Sequence, residues 1–225
     1  MTKKNFIIIL VILISGGISV AREKAFSLKQ LKSIDIGNPA LAGSTTVSGN
    51  ILELTAGGAD IWGTKDEFRF ACIMQNGDFD LISQVESLTD PHLYTKAGLM
   101  AREDLTDNCR HIFFQVFPNN NQRNKNNGGY EFQYRMEKAG EMKAIYPAVS
   151  QGTPLFPVNY PDTWIRLKWV DNDFTGYFST DGKNWKTYAL FTLELPKKLY
   201  LGFAVTSHDP LKTAHAVYRY MPLTR

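Results

Sequence analysis

The strongest pattern in the chain is the alternation of apolar and polar residues with a period of two. Tyr130, Phe132, Tyr134 and Met136 alternate with Glu131, Gln133, Arg135 and Glu137. That spacing puts the two sets on opposite faces of a strand. Phe68, Phe70, Cys72 and Met74 repeat it, as do Ala97, Leu99 and Ala101 set against Lys96, Gly98, Met100 and Arg102. Ile112, Phe114 and Val116 follow the same rule, and so do Ile165, Leu167 and Trp169. Turn-forming strings separate these runs. Ser48-Gly49-Asn50 reverses a hairpin over residues 45–54, and Asn76-Gly77-Asp78 reads as a second hairpin turn. Ser179-Thr180-Asp181-Gly182-Lys183-Asn184 reads as a third. The pattern amounts to about a dozen short strands and almost no helix. Parallel sheets need helical crossovers, which are missing, and one open sheet of that many strands would twist excessively. The expected fold is all-β: a two-sheet antiparallel jelly-roll sandwich.

The N-terminus departs from the pattern. Lys3 and Lys4 precede an unbroken apolar run from Phe6 to Ile14, and Ser19-Val20-Ala21 offers small residues for cleavage. Residues 1–21 therefore read as a secretory signal peptide. The run is too short to span a bilayer comfortably, and no later segment looks transmembrane. Residues 22–34 read as a charged lead-in segment, a short helix or arm, and residues 35–225 as one domain. The expected localisation is secreted, extracellular or periplasmic.

Charge adds a negative result. Cleavage after Ala21 would remove Lys3 and Lys4 from the 25 basic residues and none of the 22 acidic ones. The balance becomes nearly neutral, which argues against nucleic acid as a partner. Cys72 and Cys109 would sit in an oxidising compartment, where either a disulfide or two buried thiols is consistent with their strand-like surroundings.

Several strings carry a resemblance. Gly58-Ala59-Asp60-Ile61-Trp62-Gly63, then Asp66-Glu67-Phe68, begin the series. Gly77-Asp78-Phe79, Lys96-Ala97-Gly98-Leu99-Met100-Ala101-Arg102-Glu103, Trp164-Ile165-Arg166-Leu167 and Ser179-Thr180-Asp181-Gly182-Lys183-Asn184-Trp185 follow in order. Over residues 35–221 the chain resembles a family of secreted concanavalin A-like jelly-roll domains, akin to laminin-G and lectin-type sandwiches. Members stand alone or beside glycoside hydrolases, including as the C-terminal domain of some β-xylosidases. The resemblance implies a fold and no settled activity.

Strand parity supplies the candidate site. If the apolar faces point inward, Lys96 and Arg102, then Glu131, Gln133 and Arg135, then Trp164, Arg166 and Lys168 point outward. On one shared sheet, Lys96, Arg102, Gln133, Arg135, Trp164 and Arg166 would suit a glycan. Trp covers the apolar face of a pyranose, and Arg forks bind its hydroxyls or carboxylates. A surplus of Arg and Lys would favour an acidic sugar. The competing reading is a solvated face laced with ion pairs, with Lys96 and Arg102 as structural partners of Asp66 or Glu67. The leading expectation is a non-catalytic carbohydrate- or glycoconjugate-binding domain with a polysaccharide or glycan partner. A laminin-G-like protein interaction module is one alternative. A glycoside hydrolase using Glu103 and Glu131 is another, although no alternating acidic strand motif is present. Asp35, Asp60, Asp66 and Asp209 are candidates for a structural calcium site, or else caps of turns. Trp62 and Trp185 are candidate binding aromatics or plugs at the ends of the core.

Overall fold

The computed structural model describes residues 26–123, 128–146 and 156–222. The signal peptide expected over residues 1–21 lies outside the described residues. The first element is a 3-10 turn, Leu28–Gln30, followed by sixteen strands. These are β1 (Lys32–Ile36), β2 (Ser44–Ser48), β3 (Ile51–Ala56), β4 (Ile61–Trp62), β5 (Lys65–Asp66), β6 (Phe68–Asn76), β7 (Phe79–Leu88) and β8 (Lys96–Arg102). The remainder are β9 (His111–Val116), β10 (Tyr130–Arg135), β11 (Lys143–Ile145), β12 (Thr163–Val170), β13 (Asp173–Ser179), β14 (Lys186–Thr192), β15 (Lys198–Thr206) and β16 (Ala214–Met221).

Two seven-stranded antiparallel sheets result, with a small separate hairpin. Sheet A runs β1-β6-β15-β8-β9-β10-β11, sheet B runs β14-β13-β12-β7-β16-β3-β2, and β4 pairs with β5. The core between the sheets takes Leu99, Ile112, Phe114, Tyr130 and Phe132 from sheet A. Leu81, Val85, Ile165, Leu167, Trp169 and Phe174 meet them from sheet B. The alternation of β8, β9, β10 and β12 therefore points inward as expected. Burying such side chains supplies most of the driving force, about 25 cal/mol per Å² of apolar surface.

Three sequence expectations need correction. Residues 22–34 are not wholly a lead-in arm: Leu28 is core, and β1 pairs with β6 at the edge of sheet A. Asn76-Gly77-Asp78 is not a hairpin turn, because β6 belongs to sheet A and β7 to sheet B. Gly77, at φ +75°, instead hands the chain across the sandwich. Finally, Phe68, Phe70 and Cys72 face outward. They join Ile36, Ile61, Met100, Phe113 and Ala204 in a second apolar cluster on the outer face of sheet A. The β4–β5 hairpin contributes Ile61 to this cluster and covers it, so part of that face is buried.

Candidate functional site

The outer face of sheet A can be read in rows from the strand register. Lys96 stands beside Thr206. The next row runs Ala204, Gly98, Gln115, Glu131. The next is Gly202, Met100, Phe113, Gln133, and the last is Tyr200, Arg102, His111, Arg135. The arginine row and the lysine end have different fates.

The arginine row is sealed. Arg102, His111, Arg135 and Asp66 are all fully buried. Arg135 grips Asp66 with a two-pronged fork, Nη1 to Oδ2 and Nη2 to Oδ1, each 2.8 Å. Arg135 also donates to the carbonyls of Gly63, Cys109 and Gly140. Arg102 lies 3.7 Å from Asp66 and donates from Nε to the Asp104 carbonyl. Its guanidinium sits over the Phe68 ring at 5.0 Å. His111 Nδ1 lies 3.2 Å from the Cys109 carbonyl, and its Nε2 is buried without a partner. Burial drives the His111 pKa down to about 4, so the ring is neutral. Asp66 is on the hairpin and the cations are on the sheet, so this cluster clamps the cover to the face beneath it. Arg102 and Arg135 are thus structural groups with no open face toward a ligand.

The lysine end is open. A pocket of about 190 Å³ is lined by Asp60, Trp62, Tyr94, Lys96, Glu131, Gln133, Tyr146 and His208. The cover loop supplies Asp60 and Trp62, β8 supplies Lys96, and β10 supplies Glu131 and Gln133. Loops supply Tyr94, Tyr146 and His208. Lys96 Nζ donates to Asp60 Oδ1 at 2.6 Å and to the Ile61 carbonyl at 3.0 Å, and lies 5.4 Å from the Trp62 ring centre. His208 Nδ1 is 3.1 Å from Asp60 Oδ2. Burial opposes ionisation of Asp60, but Lys96 and His208 outweigh it, and its carboxyl is held below the usual range. Gln133, in the lining, and Gln115, outside it, both donate their side-chain N–H groups to Glu131 Oε1. His208 adopts φ +59° and packs against His92, ring centres 4.3 Å apart and the rings tilted by 35°.

A larger groove of about 720 Å³ runs beside β1 and β6, past Ile34, Met74, Leu105 and Tyr200. Its lining holds a single aromatic ring and no carboxylate, so it lacks the converging polar groups of the smaller pocket.

The six side chains expected to share a site do not. Lys96 and Gln133 reach the pocket; Arg102 and Arg135 lie under the cover. Trp164 and Arg166 are on β12 in sheet B, on the opposite outer surface of the sandwich. There Arg166 forks onto Asp80, with Nε to Oδ1 at 2.7 Å, and lies over the Tyr177 and Trp185 rings. Trp164 lies against Gly182 in the β13–β14 turn, where a Cβ would come within 3.0 Å of its ring.

The candidate acid pair is also separated. Glu131 stands in the row of Gly98, and Glu103 lies five residues further along the chain, just past the end of β8, about 17 Å at ~3.3 Å per residue. Glycosidic cleavage needs carboxyls about 5–9.5 Å apart. Glu103 is instead forked by Arg110, at 2.8 and 2.9 Å.

The four aspartates are dispersed as well. Asp35 pairs with Arg69 and accepts from the Gly43 amide, Asp60 pairs with Lys96, Asp66 with Arg135, and Asp209 with Lys212 and the Leu211 amide. Among the described residues no group of three or more His, Cys, Asp or Glu is placed to hold a metal ion. The donors expected for calcium therefore do not fit it. Cys72 and Cys109 form no disulfide; both are free, buried thiols. Burial pushes Cys72 up to about 12 and raises Cys109 as well. Tyr94, Tyr146 and His208 escape sequence reasoning, because they come from loops with no periodic signal.

No protein-family model matches the chain, and no curated protein matches it either. Solved structures do. A functionally unknown protein from Saccharomyces cerevisiae superposes with TM-score 0.63 at 15% identity, over 89% of this chain and 100% of that one. The exoplasmic/lumenal domain of VIP36, bound to Ca²⁺ and Man3GlcNAc, gives 0.48 at 15% identity, over 82% and 84%. A glycoside hydrolase family 16 endo-glucanase from Bacteroides ovatus gives 0.47 at 12% identity, over 87% and 96%. The fold is a concanavalin A-like jelly roll, as the sequence strings imply.

Proposed function

We propose that this chain is a non-catalytic carbohydrate-binding domain that seats one sugar ring of a glycan in the pocket beside Lys96. The export signal expected over residues 1–21 would place that glycan outside the cytoplasm. One observation carries the reading. Three aromatic rings, Trp62, Tyr94 and Tyr146, line the same small pocket as the polar groups of Asp60, Lys96, Glu131, Gln133 and His208. A sugar ring presents apolar C–H faces and a rim of hydroxyls, and this pairing answers both. The volume is below the range typical of drug-sized ligands, about 300–1,000 Å³, and suits one ring rather than an enclosed chain.

Catalysis has weaker support. The separation of Glu103 from Glu131 defeats the expected acid pair. Asp60 shares the pocket with Glu131, which is the observation favouring a glycan-active enzyme. Yet Asp60 is held ionised by Lys96 and His208, which suits neither proton donation at neutral pH nor movement toward a substrate.

The test is a glycan array followed by titration calorimetry. Binding should fall at least tenfold in Trp62→Ala, with Trp164→Ala as the control on the far sheet. Equal loss in both variants, or an array blank for the wild type, overturns the proposal. Release of reducing ends that disappears in Glu131→Gln would replace binding with hydrolysis.

A further inference from the structure

The cover over sheet A decides which part of a glycan can reach the pocket, given the sugar-binding reading above. It is tied down at both ends. At one end the Gly58 carbonyl accepts from the Thr206 and Ser207 hydroxyls, where β15 stops. At the other the Gly63 carbonyl accepts from the Met142 amide, in the β10–β11 connection, and from Arg135 Nη2. Between them, Lys96 Nζ holds Asp60 Oδ1 and the Ile61 carbonyl. Residues 58–63 therefore form a bar across β8, β9 and β10, the strands that separate β15 from β11. Thr206 stands in the lysine row and Arg135 in the arginine row, so the bar crosses the face obliquely.

The bar takes up the surface on which further sugar rings would lie. Met100 and Phe113, the outward side chains next to Gln133, are fully buried in the apolar cluster with Ile61. The arginine row beyond them is sealed by Asp66. The pocket is bounded in the other directions too. Tyr94 precedes β8 and His208 follows β15, and Thr206 pairs with Lys96, so both loops stand at the same end of the sheet. Their rings pack with centres 5.5 Å apart, and Tyr94 packs edge-on against Phe117 at 6.2 Å. Tyr146 follows β11, past β10. The space of about 190 Å³ thus has the bar on one side, aromatic loops at the strand ends and Tyr146 beyond the last long strand.

A ring inside a glycan chain carries glycosidic bonds on two sides, and both must leave the site. An end ring carries one. We infer that the pocket is a chain-end site, which takes the terminal residue of a glycan and excludes internal residues. The rest of the glycan leaves away from the sheet. The bar is then a specificity element as well as a cover, since its Asp60 and Trp62 line the pocket at the point where a continuing chain would have to pass.

Tetrasaccharides of glucose, galactose and mannose test this by calorimetry against the full chain. Each is used intact, with a 4,6-O-benzylidene acetal on its non-reducing ring, with its reducing ring opened by borohydride, and with both changes. The doubly altered sugar keeps only internal rings intact. It should bind more weakly than the intact one by roughly tenfold or more, because neither end still fits. The single change that reproduces this loss identifies the end that is recognised. Undiminished binding of the doubly altered sugar overturns the inference and leaves sugar binding standing. Absence of binding to all the intact tetrasaccharides overturns both.

Discussion

At the scale of single residues, the telling group is Asp66, one buried carboxylate among two guanidiniums and a neutral imidazole. Removing it strands two buried cations, so Asp66→Asn should cost about 3–5 kcal/mol in urea unfolding. Arg135→Lys should also destabilise, because an ammonium cannot reproduce the fork. Stability losses under ~1 kcal/mol for both would show the cluster to be incidental. His111 sets a pH dependence. Its folded-state pKa, about 4, lies below the ordinary 6.5. Above 6.5 the ring is neutral in both states; below it the unfolded chain takes a proton that the folded chain refuses. Stability therefore falls as pH drops from about 6.5 towards about 4, by a total of order 3 kcal/mol. Urea midpoints at pH 7 and pH 5.5 should differ less in His111→Asn than in the wild type; equal shifts would exclude this ring as the source. These roles were only partly legible. Lys96 and Arg102 were readable as possible partners for acids near Trp62. Nothing in Asp66 itself distinguishes a clamp from a turn cap, because its partners lie on strands distant in sequence.

At the scale of elements, the decisive piece is the β4–β5 hairpin. Only two residues per strand, it is held by what surrounds it. Gly58 enters it at φ +118°, where a Cβ would come within 2.0 Å of the Glu67 carbonyl. The Gly58 carbonyl accepts from the Thr206 and Ser207 hydroxyls, which ties the loop to the end of β15. Gly58→Ala should cost about 1–3 kcal/mol and loosen Trp62, read as a red shift in tryptophan emission and weaker glycan binding. An unchanged spectrum and melting point would show that the loop can re-route. Here the sequence was informative in a limited way. Alternation shows which residues share a face, and it did so for β6, β8, β9, β10 and β12. It does not show which face is inner. Phe68 and Phe70 are as greasy as a core strand because a hairpin covers them. Likewise Asn76-Gly77-Asp78 marks a reversal without revealing whether the next strand pairs or crosses.

At the scale of the whole molecule, the sandwich stands without a covalent cross-link between its cysteines. Burial keeps both thiols protonated, and protonated thiols are poor nucleophiles. A thiol reagent at neutral pH should modify neither cysteine in the native protein and both after denaturation, and reductant should leave the melting point unchanged. A reductant-sensitive transition would contradict free thiols. The architecture was the most legible layer, since an almost helix-free run of short strands leaves few ways to bury them. The binding face was the least legible, since β8 and β10 share a sheet while β12 lies across the core. The clamp has one more consequence. The Asp66 amide donates to the Asp107 carbonyl, outside the hairpin, and the Glu67 amide, one residue past β5, to the Asp60 carbonyl just before β4, at a hairpin of two residues per strand that would fray if left alone. With Asp66 locked onto Arg135, there is no cheap local opening, so hydrogen–deuterium exchange at these amides should be as slow as in the central strands and follow the same denaturant dependence. The smallest piece of secondary structure would then report on the stability of the entire protein.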